Sequence, residues 1–245
     1  MAESWSASCA TAVGLPRLRH MCGRYTLTDP DPRLLRFRFG LRESVEIDQP
    51  PRYNVAPTDP VLAIRLDEQG ERDAGILRWG LIPHYADPNA FDRLLINARA
   101  ETVADAPAFR DAFATHRCLI VADGFYEWRE TETGKKPVWI TRPGREPFAF
   151  AGLWARARRG DGSSVHSCAI VTCPPGEVVA PIHDRMPVIL PEEAESRWLD
   201  PGMAGGELME LLVPTDELEV TEVSDAVNDV RQDGPALIEP PLRLF

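Results

Sequence analysis

The 245-residue sequence has few of the features that mark membrane, secreted or zinc-binding proteins. No stretch approaches the roughly 18 uncharged apolar residues that cross a bilayer, and the first twenty residues contain Glu3 and no apolar run of signal-peptide length. Five cysteines are an odd number, and none belongs to a Cys-x-x-Cys pair. Neither a disulfide framework nor a zinc ribbon is indicated, so we expect a cytoplasmic protein with reduced thiols and no membrane partner.

Common catalytic motifs are also missing. The sequence has no GxSxG nucleophile elbow, no GxxxxGK[ST] phosphate loop, no GxGxxG after a predicted strand and no HExxH pair. Serine hydrolases of the elbow type, P-loop NTPases and dinucleotide-dependent enzymes therefore lose their support. We expect neither a metal nor an organic cofactor.

The net charge of -11 disfavours a nucleic-acid partner at first sight, because phosphate binding depends on Lys and Arg. The charge is unevenly distributed, however. Residues 192–245 contain 14 acidic and 3 basic residues, whereas residues 1–191 contain 24 of each. The neutral part of the chain can still bind nucleic acid. We expect the acidic segment to form a solvated face, which would repel DNA and help to confine it to one groove.

Hydrophobic patterning predicts one domain with more strands than helices. Short β-branched or aromatic runs predict strands at Val61–Leu66, Ile76–Leu81, Arg117–Val121, Pro137–Thr141, Phe148–Trp154, Ser167–Thr172 and Val188–Leu190. Predicted helices are Pro32–Phe39, Pro107–Ala114, Pro191–Leu199 and Gly206–Val213. Because the helices do not alternate regularly with the strands, we predict an α+β fold with a largely antiparallel, barrel-like β core flanked by helices. The expected oligomeric state is a monomer.

Cys22, in Met21-Cys22-Gly23-Arg24-Tyr25, is the first candidate for chemistry. If translation starts at Met21, removal of that methionine leaves Cys22 with a free α-amine beside its thiol. The amine can condense with an aldehyde, and the thiol can then close a thiazolidine ring. With Met1 as the start, the Met21–Cys22 bond must be cut first. The alternative is that Cys22 is a small buried hydrophobe in a first strand.

Three further side chains have both a catalytic and a structural interpretation. Asn97 follows an apolar pair of residues, so it is either an amide at a strand end that orients a reactant or an asparagine in a turn. Glu127 lies between Tyr126 and Trp128, so it is either a partly desolvated acid–base group or an outward-facing strand residue. His183 has Asp184 and Arg185 beside it and is either a proton shuttle or a structural histidine.

Several segments, each modest alone, occur together in order. They are MCGRYTL (21–27), YNVAPT (53–58), WGLIP (79–83), INARAET (96–102), CLIVADGFYEW (118–128), FAGLW (150–154) and IHDRMPVIL (182–190). Together they resemble the SOS response-associated peptidase-like (SRAP) family. The similarity extends from Met21 to about Pro240. It implies a domain over residues 21–240, with an extension at 1–20 and a tail at 241–245.

The resemblance implies a protein that binds single-stranded DNA and forms a covalent cross-link with an abasic site, in association with the nucleoid when DNA is damaged. By this resemblance the catalytic residues are Cys22, Asn97, Glu127 and His183. The DNA-binding residues are Arg24, Asn54, Pro57, Arg99 and Trp128. Arg24 and Arg99 would hold phosphates, Trp128 would offer a stacking surface, and self-cleavage before Cys22 would expose the amine.

Two other functions fit parts of the pattern. A cysteine peptidase acting on protein would turn over peptides and would not need a free amine on Cys22. A non-catalytic single-stranded DNA binder would show salt-sensitive binding that is unaffected by Cys22→Ala.

Overall fold

A computed structural model describes residues 23–203 and 205–241 of the chain. Within these residues the chain forms thirteen strands and four α-helices. The strands are β1 (Tyr25–Leu27), β2 (Arg52–Val55), β3 (Pro60–Leu66), β4 (Arg72–Trp79), β5 (Asn97–Arg99), β6 (Arg117–Ala122), β7 (Gly124–Thr131), β8 (Gly134–Thr141), β9 (Phe148–Arg158), β10 (Ser164–Cys173), β11 (Met186–Pro187), β12 (Ile189–Leu190) and β13 (Glu219–Glu222). The helices are α1 (Pro32–Phe39), α2 (Arg110–Thr115), α3 (Glu192–Leu199) and α4 (Gly205–Met209).

Five strands close into a barrel in the order β10, β4, β3, β6, β9 and back to β10. Neighbouring strands run antiparallel except for the parallel pair of β4 and β10. Closure removes the unpaired edges that an open sheet would expose. The predicted α+β fold with a largely antiparallel, barrel-like core is thereby confirmed.

A second sheet packs against the barrel, with the strand order β13, β8, β7, β1 and β2. Strand β1, which lies between β7 and β2, contributes Tyr25, which is buried. The Tyr25 ring meets Trp79 of β4 and Phe150 of β9 edge to face, with centroid distances of 5.3 and 5.7 Å. Aromatic pairs in this geometry add to the stabilisation that comes from burial alone. The sheet and the barrel therefore share one hydrophobic core.

Strand β6 is buried along its whole length. Its apolar run Cys118–Ala122 is fully covered because α2 and α3 pack beside the strand. At its start, the buried Arg117 donates hydrogen bonds to the carbonyl groups of Phe113 and Trp198 near the ends of α2 and α3. A cation at helix C-termini satisfies carbonyl groups that the helix itself leaves unpaired. Arg117 thus fastens both helices to the barrel.

Helix α1 begins and ends where the sequence predicts. The Asp31 side chain accepts a hydrogen bond from the Arg33 N–H, and Pro32 occupies the first helical position. Gly40 ends the helix with a φ of 59°, in the left-handed region that glycine adopts most readily.

Several predicted boundaries are wrong by a few residues. The predicted strand Ile76–Leu81 is β4, which ends at Trp79 because Gly80 turns the chain with a φ of +125°. The predicted helix at 107–114 begins later, since residues 107–109 form a turn before α2. The predicted helix at 206–213 ends at Met209.

Residues 1–20 of the predicted extension lie outside the described residues, as do residues 242–245 of the predicted tail. The predicted boundaries of the domain stay predictions. No helix within 23–203 and 205–241 is long and apolar enough to span a membrane.

Candidate functional site

Three of the predicted site residues, Asn97, Arg99 and His183, lie on elements that meet at the end of β10. Asn97 and Arg99 lie in β5, which pairs in parallel with β10 and sets Arg99 opposite Thr172. On the other edge of β10, β11 sets Pro187 opposite the same Thr172. His183 lies in the loop just before β11. The end of β10 therefore brings together residues that are more than eighty positions apart in sequence.

Asn97 and Arg99 share one face of β5, because side chains two residues apart in a strand lie on the same side. Ala98 between them is fully buried, Asn97 is half-buried and Arg99 is exposed. The start of β5 is fixed by the Trp79 indole N–H, which donates to the Ile96 carbonyl at 3.0 Å. Asn97 is thus held in the wall of the site, and Arg99 is available at its rim.

An ion pair joins β5 to the loop that carries His183. Arg185 forms two hydrogen bonds with the Glu101 carboxylate, and its Nη2 also donates to the Thr172 carbonyl at 2.6 Å. The hydrogen bonds from Arg185 hold the pKa of Glu101 below its usual range. Both residues lie inside sequence motifs of the resemblance, but sequence alone did not indicate that they pair.

His183 is half-buried and its ring is oriented from both sides of the loop. Its Nδ1 accepts a hydrogen bond from the Arg185 backbone N–H at 3.1 Å, with the Asp184 carboxylate also at 3.1 Å. Nδ1 can accept from the N–H or, when it carries a proton, donate to the carboxylate. Both contacts hold the ring by its Nδ1 edge, so Nε2 is the nitrogen that can act on a reacting group.

The chain enters the site from the start of β1, which pairs antiparallel with β7. Tyr25 lies opposite Phe125, and the Tyr126 N–H donates to the Arg24 carbonyl at 3.0 Å. The same register would bring Gly23 opposite Glu127. Gly23 is the first described residue, and Cys22 lies outside the described residues.

A buried carboxylate fixes β1 in this register. Asp123 accepts hydrogen bonds from the hydroxyl groups of Thr26 at 2.5 Å and Thr28 at 2.6 Å, and also from the Thr28 backbone N–H. The next residue is Gly124, where a Cβ would lie 2.2 Å from the Trp139 indole nitrogen. The strands can therefore approach this closely only with glycine at that position. Sequence reasoning missed Asp123 because its partners lie almost a hundred residues away.

Glu127 lies on β7 and is 1% exposed. It pairs with Val138 of β8 and shares a face of β7 with Phe125, two residues earlier. Phe125 packs on Phe150 in the core, so this face is the one turned toward the barrel. The alternative of an outward-facing Glu127 is therefore wrong, and its role as an acid–base group stays a prediction.

Arg24 and Asn54 are joined to the C-terminal segment. Arg24 Nη1 donates to Asn54 Oδ1 and to the Val227 carbonyl, both at 2.9 Å. Asn54 is 1% exposed, and its amide donates to the carbonyl groups of Val227, Asp229 and Gln232. Burial lowers the pKa of Arg24. A buried amide cannot reach DNA directly, so we expect Asn54 to act by positioning Arg24.

Trp128 and Pro57 lie at the rim of the same region. Trp128 is half-buried, and its indole N–H donates to Asn228 Oδ1 at 2.7 Å. Pro57 begins the turn between β2 and β3. The next residue, Thr58, has a φ of 80° and donates its N–H to the Trp79 carbonyl at 2.7 Å. A non-glycine residue in this region is strained and needs such support.

The three described cysteines are buried thiols: Cys118, Cys168 and Cys173. Burial raises the pKa of Cys118 to about 12 and that of Cys173 to about 11, and it also raises the pKa of Cys168. A thiol attacks as its thiolate, so none of these three is suited to be a nucleophile at neutral pH. Over the described ranges, His, Cys, Asp and Glu side chains form no cluster that could hold a metal ion.

Comparisons with known proteins show what the chain as a whole is similar to. Residues 21–230 match the family model "SOS response associated peptidase (SRAP)". The chain is 40% identical over 224 residues to the abasic site processing protein YoqW of Bacillus subtilis, a match that covers 89% of this chain and 99% of that protein. It is 32% identical over 235 residues to the abasic site processing protein YedK of Escherichia coli, covering 90% and 100% of the two chains.

A crystal structure of a Bacteroides thetaiotaomicron protein has a similar fold. It superposes with a TM-score of 0.78 at 23% identity, covering 90% of this chain and all of the other.

Proposed function

The chain belongs to the SRAP family, and from this membership we propose that it binds DNA and captures abasic sites covalently through Cys22. The observation that carries the proposal is the pairing of β1 with β7, which directs the start of the described chain toward Glu127. Asn97 and His183 lie on elements that meet the two edges of β10 at its end, and we propose that they act on the same lesion. The names of YoqW and YedK supply the lesion, since both are abasic site processing proteins.

The reaction needs an aldehyde on the DNA and, on the protein, an amine and a thiol carried by neighbouring carbon atoms of one residue. The ring-opened abasic sugar supplies the aldehyde at C1′. The α-amine of Cys22, freed when the Met21–Cys22 bond is cut, attacks C1′ and forms an imine with loss of one water. The Cys22 sulfur then adds to the imine carbon, and the thiol proton goes to nitrogen. The product is a five-membered thiazolidine, so the protein–DNA link rests on two bonds to C1′.

The described residues would serve as proton carriers and positioning groups. Glu127 is buried, and the register of β1 with β7 would bring it opposite Gly23, next to Cys22. There it could take a proton from the amine and return it to the departing hydroxyl group. The Nε2–H of His183 can donate to the sugar ring oxygen as the hemiacetal opens. Asn97, held at the start of β5, would orient the amine.

DNA itself would be held at the rim of the site. Arg99 is exposed and can contact a phosphate. The half-buried indole of Trp128 offers a stacking surface for a base next to the lesion. Arg24 is oriented by Asn54 toward the same end of β1. A base can stack on the Trp128 indole when it is not paired in a duplex, which favours single-stranded DNA.

Cys22 is better suited to this reaction than any of the three described cysteines. The three described thiols are buried and have raised pKa values. Cys22, in contrast, precedes a strand that leads directly to Glu127 by register. The aminothiol reaction also explains why the cysteine stands next to a methionine that initiation can place first.

The test is intact-mass spectrometry of the chain before and after mixing with single-stranded DNA that contains one abasic site. A chain expressed from Met21 should begin at Cys22 and gain the mass of the DNA less one water, in an adduct that survives denaturation. Cys22→Ala should form no stable adduct, and Glu127→Gln should slow capture at least tenfold, in line with the loss of one acid–base group.

The matched control inserts one glycine between Met21 and Cys22. The thiol is kept, but the free amine moves to the glycine, so the ring cannot close and the stable adduct should disappear. A persistent adduct in this control or in Cys22→Ala would refute the aminothiol route. Turnover of peptides without any DNA adduct would instead support the cysteine peptidase alternative.

A further inference from the structure

A second positively charged surface lies around the free end of the β9–β10 hairpin. We call it the arginine patch and define it as Arg65, Arg156, Arg158 and Arg159. On β9, Arg156 and Arg158 are exposed, whereas Ala155 and Ala157 on the opposite face are buried. The guanidinium of Arg65 stacks on Trp154 of the same strand, 4.6 Å from the ring centroid. The four arginines therefore border one exposed face of the barrel.

The arginines of the patch differ from most others in the molecule, because no described carboxylate forms a salt bridge with them. Arg156 and Arg159 instead donate to the hydroxyl groups of Ser164 and Ser163, at 3.1 and 3.4 Å. Acidic residues beside the patch include Asp73, which pairs with Arg65 across β3 and β4, and Asp161, whose pKa is lowered by hydrogen bonds from Ser163 and further by the charge of Arg159. Asp161 is itself occupied by the Ser163 N–H at 2.9 Å. The patch keeps its positive charge in a protein whose net charge is -11.

Neighbouring histidines report the same positive field. His166 pairs with Arg156 across the hairpin. Burial, followed by the charges of Arg65 and Arg156, lowers the pKa of His166. The pKa of His116 is lowered by burial and then by His84 and Arg65. Like charges held this close together are stabilised when an anion binds between them.

A cleft of about 570 Å³ adjoins the patch. Residues 84–87 form one side, and Arg156, Arg158 and Arg159 form the other. Tyr85 in the first wall is 62% exposed. Guanidinium groups match phosphate oxygens with pairs of N–H donors, and an exposed aromatic ring can stack on a base. The combination suits a nucleic-acid strand better than a single small anion.

We propose that the arginine patch binds the phosphate backbone of the DNA strand that leads to the abasic site. This inference rests on the proposed function, because it assigns the path of the same substrate. On β10, the partner of Arg156 lies six residues before Thr172 and the partner of Arg158 lies eight residues before it. At about 3.3 Å per residue these separations are about 20 and 26 Å. They correspond to about six to eight nucleotides at the 3.4 Å rise of a fully stacked strand, and to fewer where the single strand is extended.

The experiment compares DNA strands that carry a tetrahydrofuran abasic analogue, which lacks the aldehyde and so reports binding alone. One strand has arms of about 3 nucleotides on each side of the analogue, and the other has arms of about 15. For the double variant Arg156→Glu/Arg158→Glu, we expect at least tenfold weaker binding of the long strand and unchanged binding of the short one. The salt slope should fall by about 1.4, the value for two lost contacts to single-stranded DNA.

The matched control is Arg33→Glu/Arg197→Glu, two exposed positions on α1 and α3 that lower the net charge by the same amount. It should bind both strands as the unaltered chain does. The proposal that the patch binds DNA would be wrong if the control lost the same affinity, if the short strand lost as much affinity as the long one, or if the double variant lost no affinity. An Arg156→Gln/Arg158→Gln variant, which adds no negative charge, should show a smaller loss with the same dependence on arm length.

The two proposals fail differently. If the patch is wrong, the aldehyde-bearing strand is still captured and arm length has no patch-dependent effect. If capture is wrong, no adduct forms with the aldehyde, but binding of the long strand still depends on Arg156 and Arg158. An unaltered chain that binds neither strand would overturn both.

Discussion

The acidic C-terminal segment and the arginine patch treat charge in opposite ways. Carboxylates of residues 192–241 form ion pairs with bases from the rest of the chain: Glu192 and Glu195 with Arg38, Glu195 with Arg72, Glu217 with Arg142, Glu222 with Arg129, Asp225 with Lys136 and Asp233 with Arg52. The arginines of the patch have no such partner among the described residues. The basic side chains that pair with the acidic segment stabilise the fold, whereas those of the arginine patch are available to a ligand.

This difference changes how the charge of the sequence is interpreted. The acidic segment packs against β2, β7 and β8, so arginines of the protein neutralise part of its negative charge. The patch lies elsewhere, on the exposed end of β9. A net charge of -11 is therefore compatible with a local surface that attracts phosphates. The following predictions test whether basic side chains with and without a carboxylate partner have these separate roles.

The largest effect is expected where a paired carboxylate is buried. Glu195 is 1% exposed and lies 2.8 Å from Arg38 and 3.1 Å from Arg72. Glu195→Ala removes a buried carboxylate from Arg38 and Arg72, and because Arg38 keeps Glu192 we expect a loss at the low end of the about 3–5 kcal/mol that breaking a buried ion pair costs. Urea unfolding measures the loss. The control is Glu193→Ala on the same helix, which is exposed and should change the free energy of unfolding by less than about 0.5 kcal/mol. A similar change in both variants would contradict the prediction.

A smaller effect is expected from Asn54→Ala, which cuts the neutral link between β2 and the C-terminal segment. Three carbonyl groups, of Val227, Asp229 and Gln232, lose their amide donor, and Arg24 loses an acceptor. Leaving buried polar groups unpaired costs about 1–3 kcal/mol. DNA capture should also slow, because Arg24 is no longer oriented.

Both consequences of Asn54→Ala can be measured on one preparation, by urea unfolding and by the rate of adduct formation. Asn89→Ala, at an exposed loop position, is the control and should alter neither. Slower capture with unchanged stability would show that Asn54 contributes to DNA binding alone, contrary to its burial.

The sequence predicts the fold class because its strands are short apolar runs that turn residues separate. Strand β6 and helix α1 carry their signals locally, in a continuous apolar run and in Asp31, Pro32 and Gly40. A barrel-like core is predicted, but the strand pair that closes it is not, because the parallel pairing of β4 with β10 depends on contacts between distant segments. Strands β1 and β5 have three residues each, too few for a periodic pattern.

The candidate site shows the same limit. Asn97, Glu127 and His183 are found from sequence because each stands in a distinctive motif. Asp123 and the pair of Glu101 with Arg185 are not, since the partners lie 97 and 84 residues apart. A motif gives the residue that performs chemistry, but the residue that holds it in place is identified only when the chain is folded.

The smallest effect concerns the arginine patch and is measured by titrating the histidines beside it. Burial and the charge of Arg65 both disfavour protonation of His116 and His166, so their pKa values lie below the ordinary histidine value. Arg65→Gln removes the second cause, and both pKa values should rise. NMR titration of the imidazole C–H signals measures the change. Arg142→Gln is the control, because its guanidinium lies beside Glu217 and away from the patch.

The same two histidines set the sign of a pH dependence. A histidine whose pKa is lowered by folding binds fewer protons in the folded state than in the unfolded one, so the free energy of unfolding falls as the pH drops below about 6.5. Arg65→Gln should make this fall less steep, as urea unfolding at pH 7.5 and pH 5 would reveal. His84 and Arg156 also face these rings and keep part of the effect. Unchanged histidine titration in Arg65→Gln would mean that burial alone lowers the pKa values, and that the patch exerts no field strong enough to hold phosphates.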